Sequence, residues 1–239
     1  MNRLISIAAF LVLVCVLTGL GFWQLQRADE KQLLMDQQAD QLSRAPAQLQ
    51  VDSDHLAMRR FQPVYISGQF DCQHQLLLDN KMLKGKPGFH VITAFHPSTA
   101  IKSILVNRGW IPMHANREPD QQYQDCPDQL YQLQGVINNF PGLGYHFSGS
   151  TQSTTENWPL ILLELDAEVL SAALNYPVVD YLLLMDPKLE AGFVRDWSFT
   201  PNILPEKHVA YAVQWFALAI TLICISLWRL WRNNNDKQQ

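Results

Sequence analysis

Between Leu4 and Gln26 there is no charged side chain, and between His208 and Trp228 there is no Asp, Glu, Lys or Arg. These two stretches constrain the chain more than any other feature. At 1.5 Å per residue, each is long enough to cross a hydrocarbon core of roughly 30 Å as a helix. The expected plan is a transmembrane helix at 4–26, a second at 208–228, and a single domain between them on one side of a bilayer.

Two other readings of the first stretch are weaker. A removable signal peptide would need a small-x-small cleavage site, but Thr18 to Trp23 runs straight into polar, helix-forming sequence. A lipoprotein anchored through Cys15 would need a small residue where bulky Val14 stands.

Orientation follows from the cations beside the spans. The short tails carry Arg3, Arg229, Arg232 and Lys237, against Arg27, Lys31 and Lys207 on the domain side. This bias places both termini in the cytoplasm and the domain outside it, which in a bacterium means the inner membrane with a periplasmic domain. No Arg- and Ser-rich transit segment precedes the first span. With 18 basic against 22 acidic residues, and the basic ones scattered, the chain has no footprint for nucleic acid.

The four cysteines divide evenly. Cys15 and Cys224 lie in the spans and read as apolar filling. Cys72 and Cys126 lie in the domain, without CxxC spacing, and can form a disulfide if the domain faces an oxidising space.

Beyond the first span, residues 27–45 predict a juxtamembrane helix ended by Pro46, and 46–206 a β-rich domain. Alternation of Val64, Ile66, Gly68 and Phe70 marks a strand over 63–70. Further strands are expected at 75–79, 89–95, 103–109, 129–137 and 178–185, with turns at 84–88, 97–99 and 111–119. One soluble helix, capped by Asp166 and stopped by Asn175 and Pro177, precedes the last strand. The expected fold class is two transmembrane helices flanking a β-rich α+β extracytoplasmic domain, a small antiparallel barrel or sandwich. Residues 229–239 form a cytoplasmic tail.

No nucleophile elbow, phosphate-binding glycine loop or zinc-protease helix is present, so the chain is not expected to be an enzyme. His55, His74, His90, His96, His114 and His146 lack close ligand spacing, although His90 and His96 share strand parity. His208 differs from them because it stands at the mouth of a span, where an ionisable group is costly. On a helix it shares a face with Tyr211, Ala212 and Trp215, an arrangement that can ligate and flank a flat cofactor. With antiparallel spans, Trp23, Gln24 and Arg27 reach similar depth, and Arg27 can pair with an anionic group such as a haem propionate. The same residues also fit an ordinary interfacial belt. The segment Asn107-Arg108-Gly109-Trp110 ends an apolar strand, where a buried arginine either braces the turn or docks on the membrane helices.

In its ordered motifs the chain resembles the Surfeit locus protein 1 family of cytochrome c oxidase assembly factors. The likeness rests on GFWQLQRADEK at 21–31, RRFQPVYISGQF at 59–70, LLLDNKMLKGKPGFHVITAF at 76–95, VNRGWIP at 106–112 and HVAYAVQWFALA at 208–219. Gln214 stands where the family often has Thr, and 121–159 matches weakly. The resemblance implies an assembly role in which haem a is transiently carried, with His208 as axial iron ligand and Trp215 lining the site. Gly21, Trp23, Gln24 and Arg27 match the first-span motif. Implied partners are cytochrome c oxidase subunits, above all the haem-bearing one, and haem a biosynthetic enzymes. A haem-independent scaffold for oxidase subunits is the alternative.

Overall fold

The computed structural model describes residues 2–51, 60–141, 158–197 and 204–235. His55, Arg59, His146 and Lys237 lie outside the described residues, and of Arg3 only the helical backbone is described. The chain forms two units, 1–39 with 199–239 and 40–198.

The first unit contains helix α1 (Asn2–Ser43) and helix α3 (Pro205–Asn235). Both are long and apolar enough to cross a membrane. Helix α1 passes from its apolar run into the polar juxtamembrane sequence without a break, because no glycine or proline interrupts residues 22–43.

The second unit is a seven-stranded sheet carrying one short helix. Its strands are β1 (Ala47–Gln48), β2 (Pro63–Leu83), β3 (Lys86–Pro97), β4 (Ser103–Pro112), β5 (Tyr131–Asn139), β6 (Leu160–Leu162) and β7 (Val178–Met185), with α2 (Ala167–Leu174) between β6 and β7. Pairings run β2–β3–β4–β7–β5, and β5 pairs back onto β2, so the circuit closes. Strand β2 makes this possible by its length. Residues 63–68 pair with β5, while later residues pair with β3 across irregularities at Phe70/Gln75 and Leu78/Lys81 that let one strand serve two neighbours.

The expectation of a purely antiparallel sheet is corrected. β4 pairs with β7 in parallel, as do β1 and β6 with β2. A hairpin reverses the chain, whereas the β6–α2–β7 excursion brings it back in the same sense beside β4. The strands expected separately at 63–70 and 75–79 are one strand, and β1 and β6 are additions.

Leu133, Ile137, Val106, Ile104, Leu183 and Met185 are all fully buried in the main core. Phe70 lies edge-on to Phe95 at 4.9 Å and tilted to Tyr131 at 5.7 Å within it. Cys72 and Cys126 are joined by a disulfide, with Cα atoms 5.7 Å apart. It anchors the segment after the 3-10 turn Gln121–Gln124 to the middle of β2.

Candidate functional site

Accessibility along α1 falls at Phe10, Val14, Leu17, Gly21, Gln24 and Ala28, alternating steps of four and three. Along α3 it falls at Pro205, His208, Ala212, Trp215, Ala219 and Leu222 in the same rhythm. Such spacing makes one narrow stripe per helix, the seam of a helix pair. Small residues stand along it: Ala28, Ala212 and Ala219 are buried, and a Cβ on Gly21 would lie 2.5 Å from Cε1 of Phe216. The Phe216 ring also meets Phe22 edge-on at 5.3 Å.

A polar side chain from each helix lies on this stripe, and the two meet. Nδ1 of His208 lies 2.7 Å from Oε1 of Gln24. An amide oxygen only accepts, so Nδ1 donates and carries the ring proton. In the neutral ring this contact selects the tautomer whose other nitrogen, Nε2, holds the lone pair, the electronic form that a metal ligand requires.

The remaining predicted residues divide. Trp215 is half-buried on the seam, two turns after His208. Tyr211 is 51% exposed and lies beside the seam although it is three residues from His208, because the buried stripe steps from His208 by four to Ala212. Trp23 is likewise 50% exposed. Arg27 is exposed and its Nη1 donates to Glu30 one turn away at 2.8 Å.

In the sheet unit, the residues from Asn107 to Trp110 have partners within their own domain. A β-bulge leaves Arg108 as the extra residue of β4, since Gly109 pairs with Val91 and Asn107 with Ile92. Gly109 accepts the geometry with φ of +123°, and a Cβ there would press on the backbone of Phe193. Arg108 is buried, lies over Phe70 and Phe193, and donates through Nη2 to the carbonyl of Asp125. Burial pushes its guanidinium down to about 10. Trp110 donates from Nε1 to the Lys81 carbonyl at 3.0 Å. These contacts brace the fold.

The histidines of the domain also have local partners. His74 Nδ1 meets Asp71 at 2.7 Å, His96 Nδ1 meets the Ser103 hydroxyl at 2.8 Å, and His114 lies 3.7 Å from Asp120. Among the described residues no three His, Cys, Asp or Glu side chains converge as a metal site. Gln24 is the residue whose role the sequence alone left open. Its signal was an amide at a seam position near the polar end of a largely apolar stretch.

A model of the SURF1 family matches residues 11–220. The chain is 28% identical over 224 residues to a SURF1-like protein of Rickettsia prowazekii (strain Madrid E), covering 90% of this chain and 86% of that protein. It is 22% identical over 255 residues to a SURF1-like protein of Dictyostelium discoideum, covering 90% and 93%. A third similar protein is Surfeit locus protein 1 of Gallus gallus, 26% identical over 214 residues and covering 83% of this chain and 67% of that one. With a family model matching residues 11–220 of its 239, this chain belongs to the SURF1 family.

Proposed function

We propose that this protein is a membrane-anchored assembly factor for respiratory haem-copper oxidase, binding haem a as cargo and aiding its insertion into the catalytic subunit. The observation that carries the reading is His208, held at the mouth of a membrane-length helix with Nδ1 engaged by Gln24 and Nε2 left as a donor. Its donor chemistry fits a haem iron. Trp215, with Trp23 and Tyr211 on the flanks, would cover the macrocycle, and Arg27 would exchange Glu30 for a propionate. Bound haem supplies an iron centre destined for another protein. The residues here hold it through a single imidazole, weakly enough to let go, and no substrate is turned over.

The family supports oxidase subunits, above all the haem-bearing one, and haem a biosynthetic enzymes as partners. The cation bias supports a bacterial inner membrane location with both termini cytoplasmic and the sheet unit, read as a small barrel, in the periplasm. The Cys72–Cys126 disulfide is in keeping with that oxidising side.

A haem-independent scaffold for oxidase subunits is the second reading. Its support is the outward exposure of Trp23 and Tyr211 and the existing Arg27–Glu30 pair. The two separate in an absorption spectrum of the detergent-purified protein co-expressed with haem a biosynthetic enzymes, wild type against His208→Ala. Stoichiometric haem that is lost or spectrally shifted in the variant supports the carrier. A wild type that stays colourless under adequate haem supply favours the scaffold, and haem bound equally by both removes His208 as the ligand.

A further inference from the structure

We infer that Gln24 is the positioning residue that fixes His208 as its Nδ1–H tautomer and thereby assigns Nε2 as the ligating nitrogen. The inference rests on the reading of His208 as a ligand, but its core concerns the imidazole alone. In water an imidazole exchanges between two neutral tautomers, so half-committed rings lose part of their ligand strength to the wrong form. Here one nitrogen faces an acceptor at 2.7 Å. A proton on Nε2 instead would set two lone pairs against each other across that part-buried contact.

The helix pair holds the contact in place. Gly21, one turn before Gln24, lets Phe216 close onto α1, and buried Ala212 lies one turn beyond His208. The glutamine therefore plays towards His208 the part that carboxylates and carbonyls play behind metal-bound imidazoles: it orients the ring and selects its tautomer. A neutral amide does this without placing a formal charge at the membrane boundary, where a carboxylate would be costly to desolvate.

The test begins without haem. Full-length protein in detergent, labelled with 15N-histidine, is compared with His208→Ala to assign the His208 ring signals. The expected pattern is a protonated, pyrrole-type Nδ1 and a pyridine-type Nε2, collapsing towards tautomer averaging in Gln24→Leu. A pyridine-type Nδ1 in the wild type overturns the inference, as does a pattern unchanged in Gln24→Leu.

Titration with ferric protohaem as probe then reads the consequence. Gln24→Leu should weaken binding by about 10-fold or more, the usual scale for removing a partner behind a metal-bound histidine, while Gln24→Glu, which keeps the acceptor, should recover most of it. Equal affinities for wild type and Gln24→Leu overturn the ligand assignment of Nε2. A wild type with the expected ring pattern that binds no haem defeats the carrier reading and leaves the tautomer assignment standing, so the two failures are distinct.

Discussion

Asn107 donates through Nδ2 to Nδ1 of His90 at 3.0 Å, and its amide is held against turning over because Oδ1 already accepts the backbone N–H of Gly109 at 3.1 Å. His90 is therefore committed to the neutral form. Burial, reinforced by the charge of Lys81, pushes its imidazole down to about 4. Its ring also stands edge-on to Trp197 at 5.8 Å.

The pH dependence of stability follows from that pairing. Above pH 6.5 His90 is neutral whether the chain is folded or not. Between 6.5 and about 4 only the unfolded chain takes the proton, so stability falls across this window, by on the order of 3 kcal/mol, and levels off below it. Urea denaturation of wild type and His90→Gln at neutral pH and near pH 4 checks this. The variant should lose less stability between the two. Asp71 acts later. Burial would raise its carboxyl, but hydrogen bonds from Tyr176 and His74 outweigh that and hold it low, so its contribution is present above 3.8 and lost only in stronger acid.

Reduction should weaken the sheet unit strongly. The Cys72–Cys126 bridge closes a loop of 54 positions, and chain entropy alone values such a link at about 4 kcal/mol. Cys72→Ser with Cys126→Ser is expected to lower the denaturation midpoint, and a dithiol to do the same to the wild type but not to the double variant.

Arg108 gives a prediction whose sign runs against intuition. Nε and Nη1 are buried without a hydrogen-bond partner among the described residues, so the charge is poorly repaid for leaving water. Arg108→Met should match the wild type within about 1 kcal/mol or exceed it. Arg108→Lys should be less stable than either, because an ammonium cannot lie flat between Phe70 and Phe193. Thermal denaturation ranks the three.

Glycines in the two units should answer differently to the same small change. At Gly68 a Cβ would stand 2.1 Å from the carbonyl oxygen of His96, which is backbone and cannot swing aside. At Gly21 the obstacle is the Phe216 ring, which can turn. Gly68→Ala should therefore cost more than about 2 kcal/mol or prevent accumulation, whereas Gly21→Ala should fold and mainly perturb the helix pair. Protein yield and unfolding curves check the first. The His208 ring signals, sensitive to helix separation, check the second.

Much of this architecture was legible because local rules and tertiary context agree. Asp166 accepts from the N–H groups of Glu168 and Val169, and Asn175 ends α2 with φ of 60°, as their positions in the sequence announce. Strand β7 runs from Val178 to Met185, where the apolar run places it. What escaped reading depends on distant partners. β1 and β6 have two and three residues, too short for any period, and exist only because β2 offers them an edge. The bulge at Arg108 requires knowing which residues oppose it, and the parallel pairing of β7 requires knowing where β4 lies. At the candidate site, the sequence placed Gln24 at the depth of His208, but only the geometry shows which nitrogen faces which oxygen.

The covalent link between β2 and the Asp125–Cys126 segment makes the tightness of the domain depend on the redox state of its surroundings. In a reducing compartment the two thiols would stay apart, and the segment whose carbonyl receives Arg108 would be held by hydrogen bonds and packing alone. The domain would be looser there, and more open to proteolysis, than in oxidising surroundings.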